Sequence, residues 1–232
     1  MIKCKTIILI SLVLTFCTSY GQTTRFETGI EGSPSLISLR GNDIIDQFQN
    51  PTIGFSGGLF FQYNFNKIIS LRTNLAFERK GSTSKTQAID EFGSSLGNVR
   101  TNTNFDYLTL PLLVRATFGK RILFFANTGP YIGFLLKQTS VSRGAKIPKK
   151  VLDTTHFEKG NDFGVSAGLG LIVPIKQNIA FSFEVRNNLG LYNVSAGYVS
   201  EGGTIKTNST NFLFSLAYKF GYRSTEKSPD PN

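Results

Sequence analysis

Six charged residues recur where alternating side chains would share one face of a sheet. Arg72 and Glu78 lie in one such segment, Arg115 in another, Glu184 and Arg186 in a third and Lys219 in a fourth. Each stands among small or polar residues, opposite a row of Leu, Val, Ile or Phe. Charges brought together on a buried face are tolerated when they pair and hydrogen-bond, so these six read as an interior charge network. With four basic groups against two acidic ones, any path through that interior would favour anions. A second constellation is the basic stretch 137–162, net +3, with Lys137, Arg143, Lys146, Lys149 and Lys150 as its phosphate-attracting groups. His156, the only histidine, stands two residues from Glu158 and beside Thr154 and Thr155. A hydrolase needs nucleophile, base and orienting acid together in space, and a lone loop histidine does not supply them. The chain shows no glycine-rich phosphate loop, zinc spacing or calcium loop, so no catalytic residue, metal ligand or cofactor is expected.

The elements that must position these charges have a period of two, as strands do. In residues 211–221, Phe212, Phe214, Leu216, Tyr218 and Phe220 fall on one face, with Asn211, Leu213, Ser215, Ala217, Lys219 and Gly221 on the other. Eight such segments can be laid out: 24–32 (weak), 53–65, 67–79, 105–118, 121–136 (ambiguous in phase), 163–176, 179–191 and 211–221. In 53–65, Phe60 breaks the small and polar face. The connections 66–67, 119–120 and 176–178 are tight, whereas 33–52, 80–104, 137–162 and 193–210 are long and polar. Short–long alternation belongs to outer-membrane barrels, with short periplasmic turns and long external loops. The expected fold is therefore an all-β, eight-stranded, antiparallel up-and-down transmembrane β-barrel. Hydrocarbon leaves unpaired backbone groups unsatisfied at several kcal/mol each, so a spanning sheet must close. Trp is absent, leaving Phe65, Phe118, Tyr218 and Phe220 to form the periplasmic girdle.

The N-terminus supports export. Lys3 and Lys5 precede an uncharged stretch of 15 residues, 6–20, short of the roughly 18 or more of a spanning helix. Cleavage after Gly21 leaves a leader 1–21, a barrel 22–222 and a polar tail 223–232. Cys17 raises a lipoprotein alternative, which Phe16 disfavours. Cys4 and Cys17 both lie in the leader, so disulfides and thiol chemistry are excluded from the mature chain. Removing Lys3 and Lys5 lowers the net charge from +10 to +8. In the envelope the anionic partners are membrane lipid and lipopolysaccharide phosphates rather than nucleic acid.

Four motifs in order carry a family resemblance. Tyr107-Leu-Thr-Leu-Pro-Leu-Leu-Val-Arg115 is followed by Gly129-Pro-Tyr-Ile-Gly-Phe-Leu-Leu136, then by Asp162-Phe-Gly-Val-Ser-Ala-Gly-Leu-Gly170 and Arg186-Asn-Asn-Leu-Gly190. In this order they resemble the outer-membrane β-barrel domain family of Bacteroidetes, the PorT-like group of small porin-family barrels. The resemblance implies an eight-stranded barrel in the outer membrane, inserted by the barrel-assembly machinery. The tail beyond Phe220 departs from barrels that end on a terminal aromatic, which places the assembly signal inside the chain.

Three functions remain open on these grounds. One is a non-enzymatic structural or surface-interaction protein acting through its long loops. Another is a narrow channel or PorT-like accessory of protein secretion, with envelope or secretion proteins as partners. A soluble, lipocalin-like barrel is the third, and Arg72, Arg115, Glu184 and Arg186 among the inward small residues argue against its apolar cavity.

Overall fold

In the computed structural model, residues 25–89, 91–92, 94–144, 148–197 and 203–220 are described. The leader 1–21, the tail 223–232 and Lys146 lie outside these residues. The elements in order are β1 (Phe26–Arg40), a helix α1 (Asp43–Phe48), β2 (Gln49–Asn50), β3 (Thr52–Asn64), β4 (Ile69–Ile89), β5 (Ser95–Gly119), β6 (Leu123–Gly144), β7 (Lys150–Asp153), β8 (Asn161–Lys176), β9 (Ile179–Gly190) and β10 (Lys206–Phe220). Eight of the strands pair antiparallel with their neighbours in the ring β1-β3-β4-β5-β6-β8-β9-β10, and β10 returns to β1. The closing seam runs in register from Phe26 opposite Phe220 to Arg40 opposite Lys206. β2 and β7 are short additions, on β4 and β6 respectively.

Alternation sorts the side chains between lipid and interior. Ile53 (77% exposed) and Leu169 (67%) stand on the outer wall, while Tyr107, Leu113, Arg115 and Glu184 on the opposite phase are at most 1% exposed. The segment of ambiguous phase resolves with Phe125, Asn127 and Tyr131 inward and Phe124 and Phe134 outward. Phe65, Phe118, Tyr218 and Phe220 are exposed at the short-turn rim. Phe26 joins them, stacking on Phe220 across the seam at 5.6 Å between centroids. The turns at this rim are tight. Asn66 Oδ1 accepts from the amides of Ile68 and Ile69 at 2.8 and 2.7 Å. Gly119 opens the β5–β6 turn at φ +124°, where a Cβ would meet the Ile122 carbonyl oxygen at 2.3 Å.

At the other rim the strands run further than the sequence pattern indicates. β1 continues through the expected loop at 33–52 as far as Arg40, because Ser33, Ser35, Ile37 and Leu39 keep the inward phase. Pro34, which has no amide to donate, points outward. Most of the expected loop 80–104 is strand: β4 and β5 stay paired from Lys80–Phe105 up to Ile89–Ser95. β6 likewise extends to Gly144 and β10 starts at Lys206. On the outermost parts of β4, β5 and β6 both sheet faces meet water, so hydrophobic alternation vanishes while the hydrogen-bond ladder and the Thr-rich composition keep the strands formed. On β1 the apolar Ile37 and Leu39 face inward instead.

Closure makes a testable demand. Thr28 and Tyr218 face each other across the seam, and residues 25–220 contain no cysteine. Thr28→Cys with Tyr218→Cys should form a disulfide on oxidation and shift the folded band on a non-reducing gel. Two free thiols would mean that β1 and β10 are separate edges.

Candidate functional site

The interior is filled by a charge network stacked between two apolar layers. Near its middle, Arg72 donates to Glu31 at 2.6 Å, and Asn74 donates to the other oxygen of the same carboxylate. Glu184 takes Arg115 at 3.0 Å on one oxygen, Arg186 Nε at 2.6 Å on the other, and a bond from Asn127 at 3.0 Å. Arg186 also reaches toward Glu31, at 3.6 Å. One level further out, Glu78 accepts from Asn188, Ser209 and Asn211. Lys80 lies 3.8 Å from Glu78 and donates to Asp162 at 2.9 Å, with Tyr131 and Thr207 on the same carboxylate.

Aromatic rings tie the charges to the apolar layer below. Arg72 stacks over Phe60 at 3.6 Å and Arg115 over Phe125 at 3.8 Å. Phe60 and Phe125 belong to a cluster with Ile172, Ala180 and Ala217 that closes the periplasmic half. Phe60, the odd residue of its strand in the sequence pattern, is thus an interior ring that carries a guanidinium. At the outer end Leu39, Ile45, Phe105, Tyr107 and Val194 form the second apolar layer, where α1 and the β9–β10 connection fold inward. The free space among Glu31, Glu78, Asn188 and Arg186 is about 10 Å³, room for about one water. Below the inner apolar layer a vestibule of about 370 Å³ is lined by Glu27, Gln62, Asn64, Ser70 and Lys219.

The structure places Arg72, Glu78, Arg115, Glu184 and Arg186 in one buried cluster. Lys219 is set apart at the periplasmic mouth, 3.8 Å from Glu27, because it lies below the Phe60–Phe125 layer. Sequence reasoning missed Glu31, Lys80 and Asp162, all buried and all ion-paired. The buried network therefore holds four cations (Arg72, Lys80, Arg115, Arg186) and four carboxylates (Glu31, Glu78, Asp162, Glu184). This balance overturns the expected basic excess and its anion preference. Of the loop residues, Lys137 lies on β6 rather than in a loop and pairs with Asp153 at 3.5 Å. Arg143, Lys149 and Lys150 are exposed. His156 lies in a single 3₁₀ turn, Thr155–Phe157.

Residues 20–196 match the model of the outer membrane protein beta-barrel domain family. The chain belongs to that family. It is an integral outer-membrane β-barrel protein, with short turns on the periplasmic side and long connections outside. Among solved structures, it is similar to Neisserial surface protein A, at 12% identity and a TM-score of 0.48 over 86% of this chain and 99% of that one. Ail, the attachment invasion locus protein of Yersinia pestis, is similar at 10% identity and a TM-score of 0.40, over 84% and 99% of the two chains. E. coli Outer Membrane Protein W gives 13% and 0.41, over 84% and 97%. No curated protein matches the chain.

The outer cap of this barrel is held by backbone bonds between two connections. Lys159 N donates to the Val194 carbonyl at 2.7 Å, and Glu158 bridges to Ser195. Burial beneath this cap pushes the Glu158 carboxyl up to about 7, and its Oε2 has no hydrogen-bond partner among the described residues. A raised carboxyl favours the closed cap fully below its ordinary value of 4.5, and that stabilisation is lost as pH rises through about 7. Exchange of the Lys159 amide should be slower at pH 5 than at pH 8, once corrected for the intrinsic rate. Glu158→Gln should abolish the difference.

The network makes its own demand on stability. Glu184→Ala leaves Arg115 and Arg186 buried without their main partner, a loss of roughly 3–5 kcal/mol. Urea unfolding of the refolded barrel in detergent measures it, and a loss under 1 kcal/mol would mean that the cluster is solvated.

Proposed function

We propose that this chain is a non-conducting, non-enzymatic outer-membrane scaffold whose work is done by its extracellular connections. One observation carries the reading: the four buried cations and four buried carboxylates fill the interior between two apolar layers. A path for ions would have to break these pairs and cross both layers. Among the described residues, the charged layer between them leaves free space of only about 10 Å³. The surface offered to the outside is the extended β4–β5–β6 sheet with its exposed Arg143, and the exposed Lys149 and Lys150 at the start of β7. Its natural partner is the phosphate of lipopolysaccharide. Export by the leader 1–21 and kinship with the PorT-like group of Bacteroidetes belong to the same proposal.

A second reading is favoured by the vestibule, which opens to the periplasm and carries Glu27 and Lys219 beside Gln62 and Asn64. It would suit an accessory of protein secretion docked from below. Planar-bilayer recording and the secretome of a deletion strain separate the readings. The scaffold predicts silent bilayers and an unchanged secretome. Steady conductance would overturn it in favour of a channel, and selective loss of secreted proteins in favour of the accessory.

A further inference from the structure

Above the membrane, β4, β5 and β6 continue side by side, and their register brings three cations into one row. Lys85 stands opposite Arg100, and Arg100 stands opposite Arg143. Directly opposed residues of antiparallel strands share a face. This face is the one that carries Arg79, Asp106 and Lys137 lower on the same strands. Arg79 packs over the lipid-facing Phe55 at 5.2 Å, so the row points away from the barrel axis. Lys85, Arg100 and Arg143 are all exposed.

The lower row is neutralised internally, by Arg79–Asp106 at 2.6 Å and Lys137–Asp153 at 3.5 Å. The upper row is not. Among the described residues no carboxylate lies within 4.0 Å of Lys85, Arg100 or Arg143. Like charges directly opposed destabilise a sheet, a cost that a bound anion removes. Arg100 is also held in place: its Nε donates to Thr83 Oγ1 at 3.0 Å, and that hydroxyl donates to Asn102 Oδ1 at 2.7 Å. The terminal nitrogens of the guanidinium remain as a fork suited to phosphate.

We propose that the row Lys85–Arg100–Arg143 binds the phosphate groups on the core sugars of lipopolysaccharide. Lys85 lies eight residues beyond the outward-facing Phe77 of β4. At the usual strand rise and barrel tilt, that sets the row about 20 Å above Phe77 and beyond the level of Ile53, the outermost lipid-facing residue of β3. Phosphates at the acyl boundary are too low to reach it, whereas those on the sugars stand beside it. The inference rests on the surface-interaction reading above.

The test uses the mature barrel in detergent, with Lys85→Gln, Arg100→Gln and Arg143→Gln combined. All three side chains are exposed, so the variant should keep the heat-dependent gel shift of a folded barrel. Its affinity for lipopolysaccharide with a phosphorylated core should fall about a hundredfold at low salt, and less as ionic strength rises. Wild-type protein should bind the same lipopolysaccharide, dephosphorylated in its core, as weakly as the variant binds the intact form. Equal affinity of variant and wild type overturns the proposal. So does equal binding of both lipopolysaccharides, or a row that binds dextran sulfate but ignores the phosphorylated core. The scaffold reading fails separately, through conductance or a secretion defect, whatever the outcome here.

Discussion

Everything in this protein depends on the ring of backbone hydrogen bonds closing on itself. In hydrocarbon an open edge would leave its N–H and C=O groups without water, so the seam from Phe26–Phe220 to Arg40–Lys206 is a condition for residence in the membrane. Closing the ring with eight strands fixes the interior width to about what side chains fill. The barrel wall then has to be close-packed from within. Glycines at tight points reflect this: a Cβ on Gly58 would lie 2.2 Å from the Leu75 carbonyl oxygen, and one on Gly170 2.5 Å from the Phe125 ring. Small residues let the wall approach the large rings and guanidiniums that fill the centre.

Filling that centre with charge rather than with leucine has a consequence for register. A one-residue slip of a strand exchanges its two faces. For β9 such a slip would turn Glu184 and Arg186 toward lipid and Val185 toward the carboxylates of the interior. With an apolar interior the two faces would be nearly equivalent, because hydrocarbon lies outside as well. The ion pairs make the faces unequal. Arg72 on Phe60 and Arg115 on Phe125 extend that inequality into the periplasmic apolar layer. A charged group that also stacks on a ring has only one strand position that satisfies both contacts.

The sequence shows the membrane-spanning parts because lipid imposes strict alternation there. Phe212 to Phe220, and Phe163 to Ile175 up to the inward turn of Ile172, are legible for this reason. Residues 33–40 are not, because Ile37 and Leu39 turn the apolar side inward to the outer layer, and residues 80–104 are not, since strands in water need no hydrophobic face. The missed charges had a signal. Lys80 stands two residues from Glu78 and Asp162 two from Gly164, each on the inward phase, one residue beyond a segment boundary set where the apolar face ended. Glu31 lay inside the weakest segment, flanked by Ile30 and Gly32. Lys219 shows the opposite limit, because phase alone does not reveal how deep along the axis a residue sits. The Lys85–Arg100–Arg143 row was hidden because it exists only through the register of three strands.

Charge is distributed in a way that follows from the same closure. A filled interior in a low-dielectric slab has to be neutral, and four cations meet four carboxylates there. The pairs Arg79–Asp106, Lys137–Asp153 and Lys219–Glu27 cancel as well, at or near the membrane boundaries. The whole net charge of +10 therefore falls on the remaining surface and termini. On the periplasmic side it appears as Lys67, Lys120, Arg121 and Lys176 in and beside the tight turns, within reach of phospholipid headgroups. Outside, it gathers on the sheet that β4, β5 and β6 carry beyond the lipid. A pI near 9.7 in this chain is thus a property of its two membrane faces. The interior contributes nothing to it, because any surplus there would have opened the barrel to water.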